Sequence, residues 1–218
     1  MMPILLLIAV FGIAWIDLFL PQPSLELFSE AWYTLSAAKS ALRFVFIALV
    51  IKNWLGFEAF GLRRLKPGLS GYLPRAGDLA NGLLVAAAAG VFALGLALFS
   101  LISKAQNPLL YPFQGSEKTG LSLILMAVSS LGIGYSEELF FRFFAVTSLE
   151  RAGLSPALAV LGSALVFGVS HGSQGFLGMT AAAMLALLFS FFRMRGKGLH
   201  ALALGHGIYD FVILLAVA

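Results

Sequence analysis

The chain has 218 residues, of which 60% are hydrophobic and only 11% charged, with a mean hydropathy of +0.96. So much apolar surface exceeds what one soluble core can bury, and a bilayer is the solvent that suits it. The absence of cysteine excludes thiol nucleophiles, thiolate metal ligands and disulfides, and the net charge of +4 is expected to flank membrane spans rather than bind nucleic acid.

Apolar stretches long enough to cross about 30 Å of hydrocarbon at about 1.5 Å per residue recur along the chain. They predict spans at 3–20, 32–51, 79–102, 121–147, 156–172, 176–192 and 199–217. Backbone in lipid must satisfy its own hydrogen bonds, and these strings are too long and continuous for barrel strands. The expected fold is all-α, a polytopic transmembrane helical bundle of about seven spans. The first stretch has no basic residues ahead of it and no small-x-small cleavage site behind it, only Pro21-Gln22-Pro23, so it is expected to be an uncleaved helix rather than a signal peptide. Asp78 is placed to cap the third span; Ser155 and Pro156 cap and open the fifth.

Basic residues in short loops give an orientation. Lys52, Arg63, Arg64, Lys66 and Arg75 crowd the second loop, and Arg193, Arg195 and Lys197 the sixth, whereas 21–31 has none. Alternation then puts the N-terminus in the cytoplasm and the C-terminus outside, against a weaker contrary signal from Lys104 and Lys118. The expected location is integral and multi-pass, in the plasma (inner) membrane if the source is prokaryotic. Residues 1–120 form N-terminal helices with a cytosolic loop near 53–77, and 121–218 carry the chemistry.

Ionisable side chains inside a span cost a few kcal/mol to insert, so they tend to line a cavity and act there. The fourth span holds Glu137, Glu138 and Arg142. At about 100° per residue, Glu138 and Arg142 lie roughly 40° apart and should pair, leaving Glu137 facing elsewhere as a candidate general base. The fifth span ends at His171. Glu137 lies seventeen positions before Leu154 and His171 seventeen after it, so in an antiparallel hairpin both stand about 25 Å from the bend. The seventh span carries His206 and Asp210 at i and i+4 on one face, flanked by Gly205 and Gly207, which let another helix approach. His200, beside the basic loop, is expected to be interfacial.

Glu137-Glu138-x-x-x-Arg142, then Phe167-x-x-x-His171, then His206-x-x-x-Asp210, on three helices of the C-terminal half, resembles the CPBP family. That family comprises the type II CAAX prenyl endopeptidases and their relatives in bacteriocin processing or immunity. The resemblance covers about Leu121 to Ala218; in the first half only the hydrophobicity and a Phe60-Gly61-Leu62-Arg63-Arg64 stretch are similar. It implies a glutamate-type intramembrane peptidase in which Glu137 and His171 activate a water, His206 and Asp210 serve the oxyanion, and Glu138 and Arg142 support. Two positions depart from the family. Asp210 stands where asparagine is frequent, and an ionised carboxylate only accepts hydrogen bonds, so Asp210 is expected to orient His206. Phe143 stands where glycine commonly follows the arginine. The resemblance leaves metal dependence open: Glu137, His171 and His206 would be the zinc ligands, although no His-Glu-x-x-His helix is present.

The implied partners are membrane lipid and a peptide or protein substrate, with a prenylated or membrane-anchored C-terminus as one candidate class. Three other readings compete. A rhomboid-like serine peptidase would use Ser136, a proton-coupled transporter would use the acids and histidines as a relay, and an immunity scaffold would use neither.

Overall fold

Every regular element in the computed structural model, which describes residues 2–20, 25–54, 74–104 and 118–217, is helical. The order is α1 (Met2–Ala14), α2 (Glu30–Trp54), α3 (Ala76–Ser103), α4 (Gly120–Glu137), a π-helical segment (Glu138–Ala145), α5 (Val146–Arg151), α6 (Pro156–Ser170), α7 (Gly175–Met194) and α8 (Leu199–Val217). Short 3₁₀ turns occupy Ile16–Leu18 and Gly172–Gln174. The all-helical expectation holds among the described residues. Pro21-Gln22-Pro23, the Phe60–Arg64 stretch and 55–73 of the second loop lie outside them.

Among the described residues, five helical stretches are long and apolar enough to cross a bilayer: Glu30–Asn53, Ala76–Ser103, Gly120–Arg151, Gly172–Met194 and Leu199–Ala216. The expected count of about seven was therefore loose. The stretch expected to span 3–20 is a helix of only 13 residues. It stops because Arg43 of α2 donates from Nε to the Ala14 carbonyl at 2.8 Å. The chain then turns so that Asp17 meets Arg43 and Lys39; a carboxylate inside a continuous span would have lost water without that compensation. The fifth predicted span is a 15-residue helix, also short of a full crossing.

Helix ends follow the sequence signals with one shift. Ser155 accepts from the Leu158 N–H and Pro156 fills the first turn of α6, as expected. Gly153, with φ +97°, makes the tight reversal between α5 and α6. Asp78 serves α3 from its third position rather than as the N-cap, accepting from the Arg75 backbone N–H at 3.0 Å. Two helical residues, Ala76 and Gly77, precede it, which composition did not reveal.

Contacts across the bundle sort the helix ends into two sets. At one end Lys197 reaches Asn81 at 2.7 Å and Arg193 reaches Thr147 at 3.1 Å. At the other, Thr119 donates to Glu30 at 2.8 Å and Lys118 to the Leu215 carbonyl at 2.8 Å. These pairings are those that an alternating up-and-down path requires. Outward faces carry apolar side chains such as Leu42, Val91, Leu101 and Val169, a pattern suited to lipid.

α8 packs against α3 and α4 at glycines. A Cβ on Gly205 would fall 2.6 Å from the Val85 Cβ, and one on Gly134 would fall 2.6 Å from the Ala203 carbonyl oxygen and 2.9 Å from the Gly207 nitrogen. Backbone-to-backbone approach at these points brings His206 to the acidic face of α4.

Candidate active site

The site forms where α4 passes into its π-helical segment. Glu137 is the last residue of α4, and the segment that follows holds Glu138 and Arg142, both fully buried. π-helical turns loosen the regular ladder and recur at functional sites. Here a side chain from the next helix helps to hold the segment: the Ser163 hydroxyl of α6 donates to the Phe141 carbonyl at 2.6 Å.

Arg142 Nε stands 3.2 Å from Glu138 Oε2, the pairing expected from their spacing. Its three guanidinium nitrogens make no hydrogen bond among the described residues, so charge rather than directed bonding joins the two. The rest of the cation is enclosed by aromatic faces, with Cζ 4.4 Å from the Phe167 ring centre and 5.5 Å from that of Phe189. Ring faces are negative and stabilise a desolvated guanidinium.

Glu138 has a second partner. Its Oε1 lies 2.8 Å from Nδ1 of His206. An ionised carboxylate only accepts, so Nδ1 is the donor. On the other edge of the ring, Nε2 is 3.4 Å from Asp210 Oδ2 and 3.8 Å from Glu137 Oε2. The two glutamates therefore bracket one imidazole. Glu137, which the sequence turns away from Arg142, faces this ring, and its Oε2 has no hydrogen-bond partner among the described residues. Exposure rises from Glu138 at 0% through Glu137 at 11% to Asp210 at 23% of the side chain, so the cluster opens on the Nε2 edge.

Residues 119–212 match the Type II CAAX prenyl endopeptidase Rce1-like family. This Rce1-like segment is somewhat under half of the chain and contains every candidate site residue, running from the N-cap of α4 to just past Asp210. No curated protein and no solved structure matches the chain. The family and the apolar helices support a membrane protease acting on a peptide or protein substrate, and the resemblance read from the sequence is borne out over this segment.

Within the Rce1-like segment, His171 stands somewhat apart. It caps the C-terminus of α6, with Nδ1 2.8 Å from the Phe167 carbonyl and 3.3 Å from Ser170 Oγ. Among the described residues no hydrogen bond or ion pair joins it to Glu137. It meets the cluster through Phe167, whose ring centre is 4.6 Å from that of His171 and 6.3 Å from that of His206. Among the described residues, no group of three His, Cys, Asp or Glu is disposed to hold an ion.

Ser136, the nucleophile of the serine-peptidase alternative, is fully buried and donates to the Ile133 carbonyl at 3.1 Å. Neither histidine is its partner. His200, expected at the interface, is partly buried and shares a 2.9 Å hydrogen bond with the Tyr135 hydroxyl. Sequence reasoning missed the aromatic enclosure of Arg142 and the Ser163 contact. The run Phe140-Phe141-Arg142-Phe143-Phe144 signalled an aromatic setting for the cation, but the nearest rings, Phe167 and Phe189, come from other helices.

Proposed function

We propose that this protein is a multi-pass intramembrane endopeptidase that hydrolyses a peptide bond with a water activated by Glu137 and His171. The observation that carries the reading is the position of His206, held at Nδ1 by Glu138 with Nε2 turned to the open edge beside Glu137. Glu137 takes a proton from the water as the oxygen attacks the scissile carbonyl. His171, on the same rim through Phe167, orients that water. The oxygen of the tetrahedral intermediate accepts a hydrogen bond from the His206 Nε2–H, a term worth roughly 3 to 4 kcal/mol per donor in other enzymes. Collapse breaks the C–N bond, and Glu137 returns its proton to the leaving amine. Asp210, with Oδ2 near the same Nε2, orients the ring.

The substrate is a peptide or protein delivered from the membrane, with a prenylated or otherwise anchored C-terminus as the favoured class. The helix ends bearing Arg75, Arg151, Arg193, Arg195 and Lys197 form the cytoplasmic face in this reading. The test is cleavage by the purified protein in detergent against a panel of lipidated and unlipidated peptides. The wild type is expected to release a defined product and Glu137→Ala to release none while eluting as the wild type does. Equal cleavage by both proteins would overturn the mechanism.

A further inference from the structure

The π-helical segment that carries Glu138 and Arg142 touches α1, which lies outside the matched 119–212 region. Trp15, just past the end of α1, is almost completely buried. Its ring centre is 4.7 Å from that of Phe140 and 5.1 Å from that of Phe141, and it stacks on Phe11 at 5.5 Å. Phe141 continues the series with its edge on Phe167 at 4.8 Å. Phe167 in turn faces both Arg142 and His171. One unbroken line of rings thus runs from Trp15 to both sides of the site.

Trp15 is itself held by α2. The Arg43 guanidinium lies over its ring at 5.0 Å while donating to the Ala14 carbonyl and pairing with Asp17. A π-helical turn has a looser ladder than an α-helix, so its register depends on what packs against it. Ser163 holds the segment at the Phe141 carbonyl, and Trp15 meets the Phe140 and Phe141 rings.

We propose that Trp15, fixed by Arg43 and Asp17, is a positioning residue that sets the register of the π-helical segment and hence the placement of Glu138 and Arg142 against His206 and His171. It touches neither substrate nor water and acts through Phe140, Phe141 and Phe167. The proposal rests on the peptidase reading for its consequence in rate, but not for its geometry.

The chain has three histidines, which makes a direct test practical. In protein labelled with ¹⁵N-histidine, Trp15→Ala is expected to move the ring resonances of His171 and His206. His200, hydrogen-bonded to Tyr135 on another face, keeps its wild-type position and serves as the internal control. Trp15→Phe restores the wild-type spectrum. In cleavage assays normalised to folded protein, Trp15→Ala lowers kcat about tenfold with KM changed less than about twofold, and it shifts the pH profile of kcat. Unmoved His171 and His206 resonances overturn the proposal, as does an unchanged kcat and pH profile in a cleaving protein. Should Trp15→Ala fail to fold, Arg43→Gln leaves the rings in place and releases the clamp. The same two resonances then move, or the proposal falls. Absence of cleavage by the wild type would instead sink the peptidase reading, leaving the resonances to decide the positioning claim.

Discussion

Arg142 shows how a charge is kept in this interior. Its side chain is 1% exposed and pairs with Glu138, which also accepts from His206. Removing the cation leaves a buried carboxylate uncompensated, a change that costs about 3–5 kcal/mol in comparable buried pairs. Arg142→Met is therefore expected to lower the thermal midpoint in detergent sharply, and an unchanged midpoint would mean that the hydrogen bond from His206 suffices for Glu138. Asp17 behaves oppositely with pH. Burial pushes its carboxyl up, but Arg43 and Lys39 outweigh that and hold it below the ordinary 3.8. A depressed value in the fold contributes stability that is full above the ordinary carboxylate range and is lost as pH falls through the lower folded value. The thermal midpoint should drop on acidification through that window, less steeply in Asp17→Asn, as scanning fluorimetry across pH would record. At this scale the sequence was informative about partners within a helix. The Glu138–Arg142 pair followed from spacing alone, whereas the Glu138–His206 bond joins residues 68 positions apart and needed the fold.

The elements that matter most are α4, its π-helical continuation and α8. Helix periodicity predicted the extent of the fourth span well, yet a π-helical turn and an α-helical one present the same apolar run to a sequence reader. The register change from Glu138 to Ala145 was thus not legible. The glycines beside His206 were legible as a close approach, but their partner was not. For Gly205 it is Val85 of α3, and for Gly207 it is Gly134 of α4, which also faces Ala203. A methyl group at Gly134 would meet backbone atoms that cannot rotate away, so Gly134→Ala must part α4 from α8. Overpacking of this kind costs typically 1–3 kcal/mol. We expect Gly134→Ala to retain helicity by circular dichroism while losing stability and most cleavage. An equally stable, equally active variant would show that the His206 placement tolerates a wider gap.

Across the whole molecule, composition and apolar string length were enough to give a helical membrane protein, because backbone in lipid has few other solutions. They overstated the crossings where a helix is cut short by tertiary contacts, as Arg43 does to α1. The up-and-down order of helix ends was also legible, and contacts at both ends agree with it. Least legible was how far His171 stands from the acids: equal depth along two helices fixes a level in the bilayer, not a lateral distance. The account depends on Glu137 acting as a base beside a preorganised imidazole. Glu137→Gln changes almost nothing in shape and removes the base, so the direct test is its turnover per folded molecule beside the wild type. The account predicts loss of at least about a hundredfold, in line with general-base contributions of 10² to 10⁴, with an unaltered thermal midpoint. Turnover within a few-fold of wild type would contradict it.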